Sequence, residues 1–440
     1  MVLIYTNKSS PRLQYIAAFI FKDLIKTPYA ITSHEDSYKT FDGIKINYSG
    51  KKIADDELCI PVQGLLEEQG VQEQTIEVFE LNGTKAFFRS ATPEAPQIKI
   101  YPFDIFSAAF YLLSRYEEYL PHKKDKYRRY AHTNSLAFRE NFLHLPLINL
   151  WVKDLIQWLI SNNQKIDFES PKFRFTPTYD IDIAYSYLHK GFARSTIGGI
   201  QALLGLSFNK LTHRLKVLTG NEKDPYDSYG WLDTLHQQYD LKPLYFFLVA
   251  EKNGEYDRNI LPSSKPMQEL IKTHSEKYNV GLHPSWQSGD DPELLQSEKV
   301  LLEKIIGKEI STSRQHYIRM NLPDTYRQLI STSLLNDHSM GYATINGFRA
   351  SVAASFYWYD LEKEQQTRLR VHPFCYMDST SVFKLKHTAA EAYSEMVQYH
   401  KITRSVDGSL ITIIHNNLLG SDKKVWRDMY EKFLQVVNHV

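Results

Sequence analysis

Four apolar residues, Val2 to Tyr5, open the chain as a short buried strand, and Pro11 then starts a segment with helical spacing of Leu13, Ile16, Ala17, Ile20 and Phe21. Strand-like runs follow near Cys59-Ile60, Thr75 to Leu81 and Thr84 to Phe88. Asn82-Gly83 between the last two predicts a hairpin, because both residues accept positive φ. Phe103 to Tyr119 and Pro146 to Ile160 read as helices. The first carries an aromatic-rich surface that needs a partner face; the second has Leu150, Trp151, Leu155 and Trp158 as an apolar stripe. The polar break Asn162-Asn163-Gln164-Lys165 marks the expected boundary, giving a smaller N-terminal α/β domain (1–165) and a larger unit (166–440).

Beyond the break, strands within Lys172 to Ile183, Leu244 to Val249, Tyr278 to His283, Ser311 to Ile318 and Leu410 to Ile414 alternate with helices at Pro266 to Tyr278, Glu293 to Ile306 and Pro323 to Leu334. Such alternation predicts a parallel sheet with helices outside it, open or closed into a barrel, with chemistry at the C-terminal strand ends.

Composition narrows the class. With 440 residues, 42% hydrophobic content and a net charge of +1, the chain should fold into two or three globular domains, and nothing in that balance calls for a nucleic-acid partner. The densest basic stretch, Lys123 to Arg129, reads as a solvated loop or helix end, or as a contact for an anionic ligand. Two distant cysteines exclude a disulfide framework. The N-terminus lacks the features of an export signal, and no apolar run approaches the roughly 20 residues of a membrane span, so a cytoplasmic location is expected.

Candidate chemistry lies at the strand ends. In Thr178-Tyr179-Asp180-Ile181-Asp182, period two sets both carboxylates on one face. Their repulsion is relieved by a cation, a shared proton or a basic partner, unless they serve only as turn caps. His283, in Gly281-Leu282-His283-Pro284-Ser285-Trp286, sits at the same edge, and a carboxylate with imidazoles is a recurrent zinc set. Trp286 either forms a wall for a sugar or packs under its loop. Arg314, in Ser313-Arg314-Gln315-His316-Tyr317, is placed to pair with Asp180, and His316 shares its face. Arg349, on the turn Asn346-Gly347-Phe348-Arg349-Ala350, either binds an anionic group of a substrate or anchors a loop. His415, ending the last strand beside Asn416-Asn417, is a candidate general acid.

At these residues the sequence resembles the polysaccharide deacetylase family (NodB-homology, carbohydrate esterase family 4 fold), in a divergent branch from Bacteroidetes-type bacteria with an N-terminal domain of unknown function. The resemblance spans roughly residues 170–425. It implies a distorted (β/α) barrel and removal of an N-acetyl group from a sugar or glycan intermediate, with a divalent metal, most plausibly zinc. Asp180 would be the base and Asp182 and His283 metal ligands. Arg314 would brace the base, with backbone N–H groups near Gln315 or Tyr317 stabilising an oxyanion, Tyr317 and Trp286 at the substrate, and His415 as acid.

The family's second motif normally supplies a second histidine four residues after the first, where this chain has Gln287. His316 is therefore expected as the third protein ligand in preference to Gln287. The competing readings are a non-catalytic glycan-binding or assembly protein on the same scaffold, and a metal hydrolase acting on an ester or a non-sugar amide. The sequence does not specify the oligomeric state.

Overall fold

A computed structural model describes residues 1–90, 99–162, 169, 171–190 and 208–438. The proposed boundary run thus lies outside the described residues from position 163 onward.

The N-terminal region is built on β1 (Val2–Tyr5), β2 (Tyr29–Thr32), β3 (Ile44–Asn47) and β4 (Leu58–Cys59), the hairpin β5 (Phe79–Leu81) and β6 (Thr84–Ala86), and β7 (Lys99–Ile100). Five of these form an all-parallel sheet in the order β2-β1-β3-β4-β7. The hairpin turns at Asn82-Gly83 with φ of 48° and 75°, as the sequence predicts, but its first strand is only Phe79–Leu81.

Helix Ile105–Leu113 follows Asp104, whose carboxylate accepts the Ser107 N–H at 2.9 Å and caps the first turn. Every residue of that helix is buried, so its aromatic surface is core. Helix Leu147–Ser161 buries Trp151, Leu155 and Leu159, and the Trp151 indole N–H donates to the Lys85 carbonyl at 2.8 Å.

The larger region holds β8 (Arg174–Ile181), β9 (Leu244–Leu248), β10 (Asn279–His283), β11 (Thr312–Ser313), β12 (Asn336–Asp337), β13 (Phe356–Asp360), β14 (Gln365–Val371), β15 (Tyr376–Met377) and β16 (Ser409–His415). These form one sheet in the order β13-β14-β12-β11-β10-β9-β8-β16-β15, parallel throughout except for β13. Among the described residues no pairing joins β13 to β15, so the hydrogen-bonded sheet is open where a barrel was expected.

Pro177 lies inside β8, yet register with β16 holds from Arg174 to Asp180, Pro177 standing opposite Thr412. The expected helices form at Lys265–Lys277, Pro292–Ile306 and Asp324–Ser331. No helix among the described residues is long and apolar enough to cross a membrane. Cys59 and Cys375 are both free thiols.

The two regions share one continuous apolar core. Tyr15 and Phe110 pack on Tyr359 at 5.0 and 5.2 Å between ring centroids, and Phe19 meets Phe356 at 6.3 Å.

Candidate functional site

Register brings the candidate residues to one edge. On the central strands His415 stands opposite Asp180, Asp180 opposite Phe246, and Leu248 opposite His283. The N–H of Arg314 then bonds to the Leu282 carbonyl at 3.0 Å. Tyr179 and Tyr245, one position earlier on the other face, stack at 4.8 Å beneath the sheet and free the Asp180 side for the site.

Asp180 is buried, and its Oδ1 receives the Arg314 Nη1 at 2.7 Å. The guanidinium lies 4.2 Å from the Phe246 ring centroid and donates through Nε to the His338 carbonyl at 3.0 Å. Phe246 can lie there because its strand neighbour is Gly281: a Cβ on that glycine would come within 2.7 Å of the Phe246 ring. Burial lowers the Arg314 pKa, against the charge of Asp180.

Three imidazoles converge on Asp182, each anchored from behind. His283 Nδ1 donates to the Arg314 carbonyl at 2.5 Å, and its Nε2 lies 3.1 Å from Asp182 Oδ1. His316 Nδ1 is 2.8 Å from Asp257 Oδ1, with Nε2 3.5 Å from Asp182 Oδ2. His415 Nδ1 is 2.6 Å from Asp378 Oδ1, with Nε2 3.6 Å from Asp182 Oδ2.

Burial favours the neutral Asp182 carboxyl, but the charge on His316, the close approach of the His283 and His316 rings and the charge on His415 hold it well below the usual range. Burial opposes charge on His316 as well, yet Asp182 and Asp257 raise it to about 9. For His415, Asp378 and then Asp182 and Asp180 outweigh burial and raise it to about 10.

Donor atoms of Asp182, His283 and His316 lie within 4.8 Å of one another and form a candidate metal site. The residues fit a borderline divalent ion: one carboxylate and two imidazoles whose Nδ1 atoms are fixed by a carbonyl and a carboxylate, leaving Nε2 inward. Asp182 Oδ1 supports that fit, being buried with no well-directed hydrogen bond although His283 is close.

Beside these donors lies a cavity of about 310 Å³ that Asp180, His415 and Tyr317 also line. Gln287 is not among the lining residues. After Pro284 the chain turns into a short 3-10 segment, and Gln287 is exposed, its amide facing Gly254. Trp286 also stands outside the lining, stacked on Tyr256 at 4.0 Å with Arg319 over its ring.

Arg349 is buried and does not line the cavity, and the anion it meets is Glu118, with 2.9 and 2.5 Å contacts. Of the two backbone donors expected at an oxyanion, Gln315 N–H is taken by Ser339 Oγ at 2.9 Å.

Sequence reasoning does not find Asp257 and Asp378, which aim two of the imidazoles; it marks the basic run Lys123 to Arg129 as a solvated loop or an anion contact, but not that Tyr127 and Arg129 within it line the cavity. A signal for Asp378 exists in the Tyr-Met-Asp end of a two-residue strand. Asp257 lies in an irregular loop with no periodicity to mark it.

Residues 2–164 match a family of unknown function, DUF7033. No curated protein matches the sequence. Among solved structures, one named for a polysaccharide deacetylase from Mycobacterium smegmatis aligns at 14% identity and a TM-score of 0.40, covering 62% of this chain and 87% of that one. A polysaccharide deacetylase from Bacillus cereus aligns at 12% identity and a TM-score of 0.28, covering 60% and 88%. Both likenesses are loose, and the site rests on its own geometry.

Proposed function

We propose that the protein is a metal-dependent hydrolase that removes an N-acetyl group from a sugar or glycan intermediate, with zinc as the ion and Asp182, His283 and His316 as its ligands. The observation that carries the reading is the convergence of anchored Nε2 atoms on Asp182 beside a second carboxylate, Asp180, held separately by Arg314. The ion would polarise the acetyl carbonyl and acidify a water.

Asp180 is the base. Arg314 occupies Oδ1, so Oδ2 takes the proton of the attacking water. As the water oxygen bonds to the carbonyl carbon and the C–N bond breaks, His415 Nε2 protonates the departing nitrogen, and acetate and an amine result. Asp378 holds the proton on His415 until then. The N-terminal unit (1–165) and the hydrolase unit (166–440) act as one molecule, in the cytoplasm.

The test is acetate release from N-acetylated sugars, esters and small amides by the full chain, with and without a chelator. Chelator-sensitive release from an N-acetylated sugar is expected. Release only from esters or non-sugar amides would move the substrate class. Saccharide binding without turnover and without stoichiometric metal would replace the enzyme with a binding protein.

A further inference from the structure

The basic run of the N-terminal region folds into a hairpin that braces itself. Ala131 N–H bonds to the Lys123 carbonyl at 3.2 Å and Asp125 N–H to the Arg129 carbonyl at 2.9 Å. The Asp125 carboxylate accepts Tyr127 N–H at 2.8 Å, Arg129 N–H at 3.1 Å and Arg129 Nε at 2.8 Å. Asn134 clamps the base through both the N–H and the carbonyl of Lys123. A loop closed this way holds its tip residues fixed before anything binds.

The tip reaches the candidate site. Arg129 is buried, and its Nη1 donates to the carbonyl oxygen of Tyr317. Tyr317 and Ile318 both have left-handed backbones, at φ 59° and 53°. For consecutive non-glycine residues, one of them β-branched, this conformation is costly and persists only where surrounding contacts enforce it. The residue before this pair is His316. Tyr127, on the same tip, lines the cavity with its ring 5.4 Å from that of Tyr317.

We infer that the 123–131 hairpin is a working part of the site: Arg129 is a positioning residue that holds the Tyr317 backbone and through it His316, and Tyr127 is a wall against which the substrate's sugar ring lies. The inference rests on the reading of His316 as a metal ligand. It also gives the N-terminal region a function in the chemistry, because a C-terminal region without it has an unsupported turn beside a ligand and an open cavity wall.

The test uses the full chain with Arg129→Met and Arg129→Lys, and Zn²⁺ as the probe. In Arg129→Met, backbone amides of 316–319 should exchange hydrogen about tenfold faster or more, and zinc affinity should fall about 10–100-fold, as for other groups that orient a ligand. Arg129→Lys keeps the charge against Asp125 and should shift both in the same direction by less, with an unchanged melting temperature. Unchanged exchange in both variants overturns the positioning role. The exchange measurement decides this even if the wild-type chain takes no zinc, an outcome that sinks the proposed function instead.

For Tyr127, the probe is N,N′-diacetylchitobiose. Tyr127→Ala should raise KM about tenfold with kcat little changed, and Tyr127→Phe should restore it. An unchanged KM in Tyr127→Ala removes the wall.

Discussion

Each of the three inward-facing imidazoles is fixed through Nδ1, but the anchors differ, and the difference sorts their chemistry. His283 leans on a neutral carbonyl, whereas His316 and His415 lean on the buried carboxylates Asp257 and Asp378. Asp182, with the anchor Asp257, lifts His316 to about 9, and the anchor Asp378, with Asp182 and Asp180, lifts His415 to about 10 in the metal-free protein. Both folded values lie above the ordinary 6.5 of an unfolded histidine. Their stabilisation is therefore fully present below about 6.5 and lost as pH rises through about 9 to 10. Denaturant titrations of metal-free protein should show falling stability over that span; a rise contradicts it.

A metal ligand must shed its proton, so zinc affinity should weaken about tenfold per unit as pH falls below about 9. A flat profile from pH 8 to pH 6, measured with buffered zinc, would remove His316 from the ligands. His415 must instead keep its proton to act as an acid. Asp378→Asn should then move the alkaline limb of kcat to lower pH by a unit or more, and an unmoved limb denies the role. Asp180→Asn should abolish turnover and largely spare zinc binding, since the base is not a ligand. Retained turnover in a clean preparation refutes that assignment.

At the scale of elements, the strand ends decided what could be read in advance. Asp180, Asp182, His283, Arg314, His316 and His415 each lie at or just past the C-terminal end of a short strand, and a parallel sheet collects such ends at one edge. Gln287 is four residues past His283, a spacing that would serve on a helix, but the chain turns away after Pro284 and carries it outward. Arg349 was ambiguous because nothing local names its partner: Glu118 is 231 residues away. Closure into a barrel was also beyond periodicity, which reports alternation and not whether edge strands meet.

Gly281 is an element-scale requirement that the sequence conceals, since no turn or positive φ marks it. Ala at 281 would press on Phe246 and the Thr312 carbonyl, costing about 1–3 kcal/mol, and would shift Arg314 off Asp180. Urea melts and acetate-release assays of Gly281→Ala check both effects; wild-type stability and activity would show that the ring has room to move.

Across the whole molecule, the two regions are joined by a shared core and by buried charge. Glu118 sits between Arg115 and Arg349, each bonded to its carboxylate. Burial would raise its pKa, but the two guanidinium groups bring it to about 2. Glu118→Gln leaves two buried cations short of an anion and should cost about 3–5 kcal/mol at neutral pH. A loss below about 1 kcal/mol in denaturant melts would mean that the joint is not held there.

The N-terminal region also brings Arg129 and Tyr127 to the cavity beside the candidate metal ligands. The central claim is that one ion is held by Asp182, His283 and His316. Calorimetric titration of the chelator-stripped full chain with zinc, alongside His316→Ala and Gln287→Ala, tests it most directly. One ion per chain is predicted, weakened about 100-fold or more in His316→Ala and unchanged in Gln287→Ala. No stoichiometric zinc in the wild type, or undiminished affinity in His316→Ala, would contradict it.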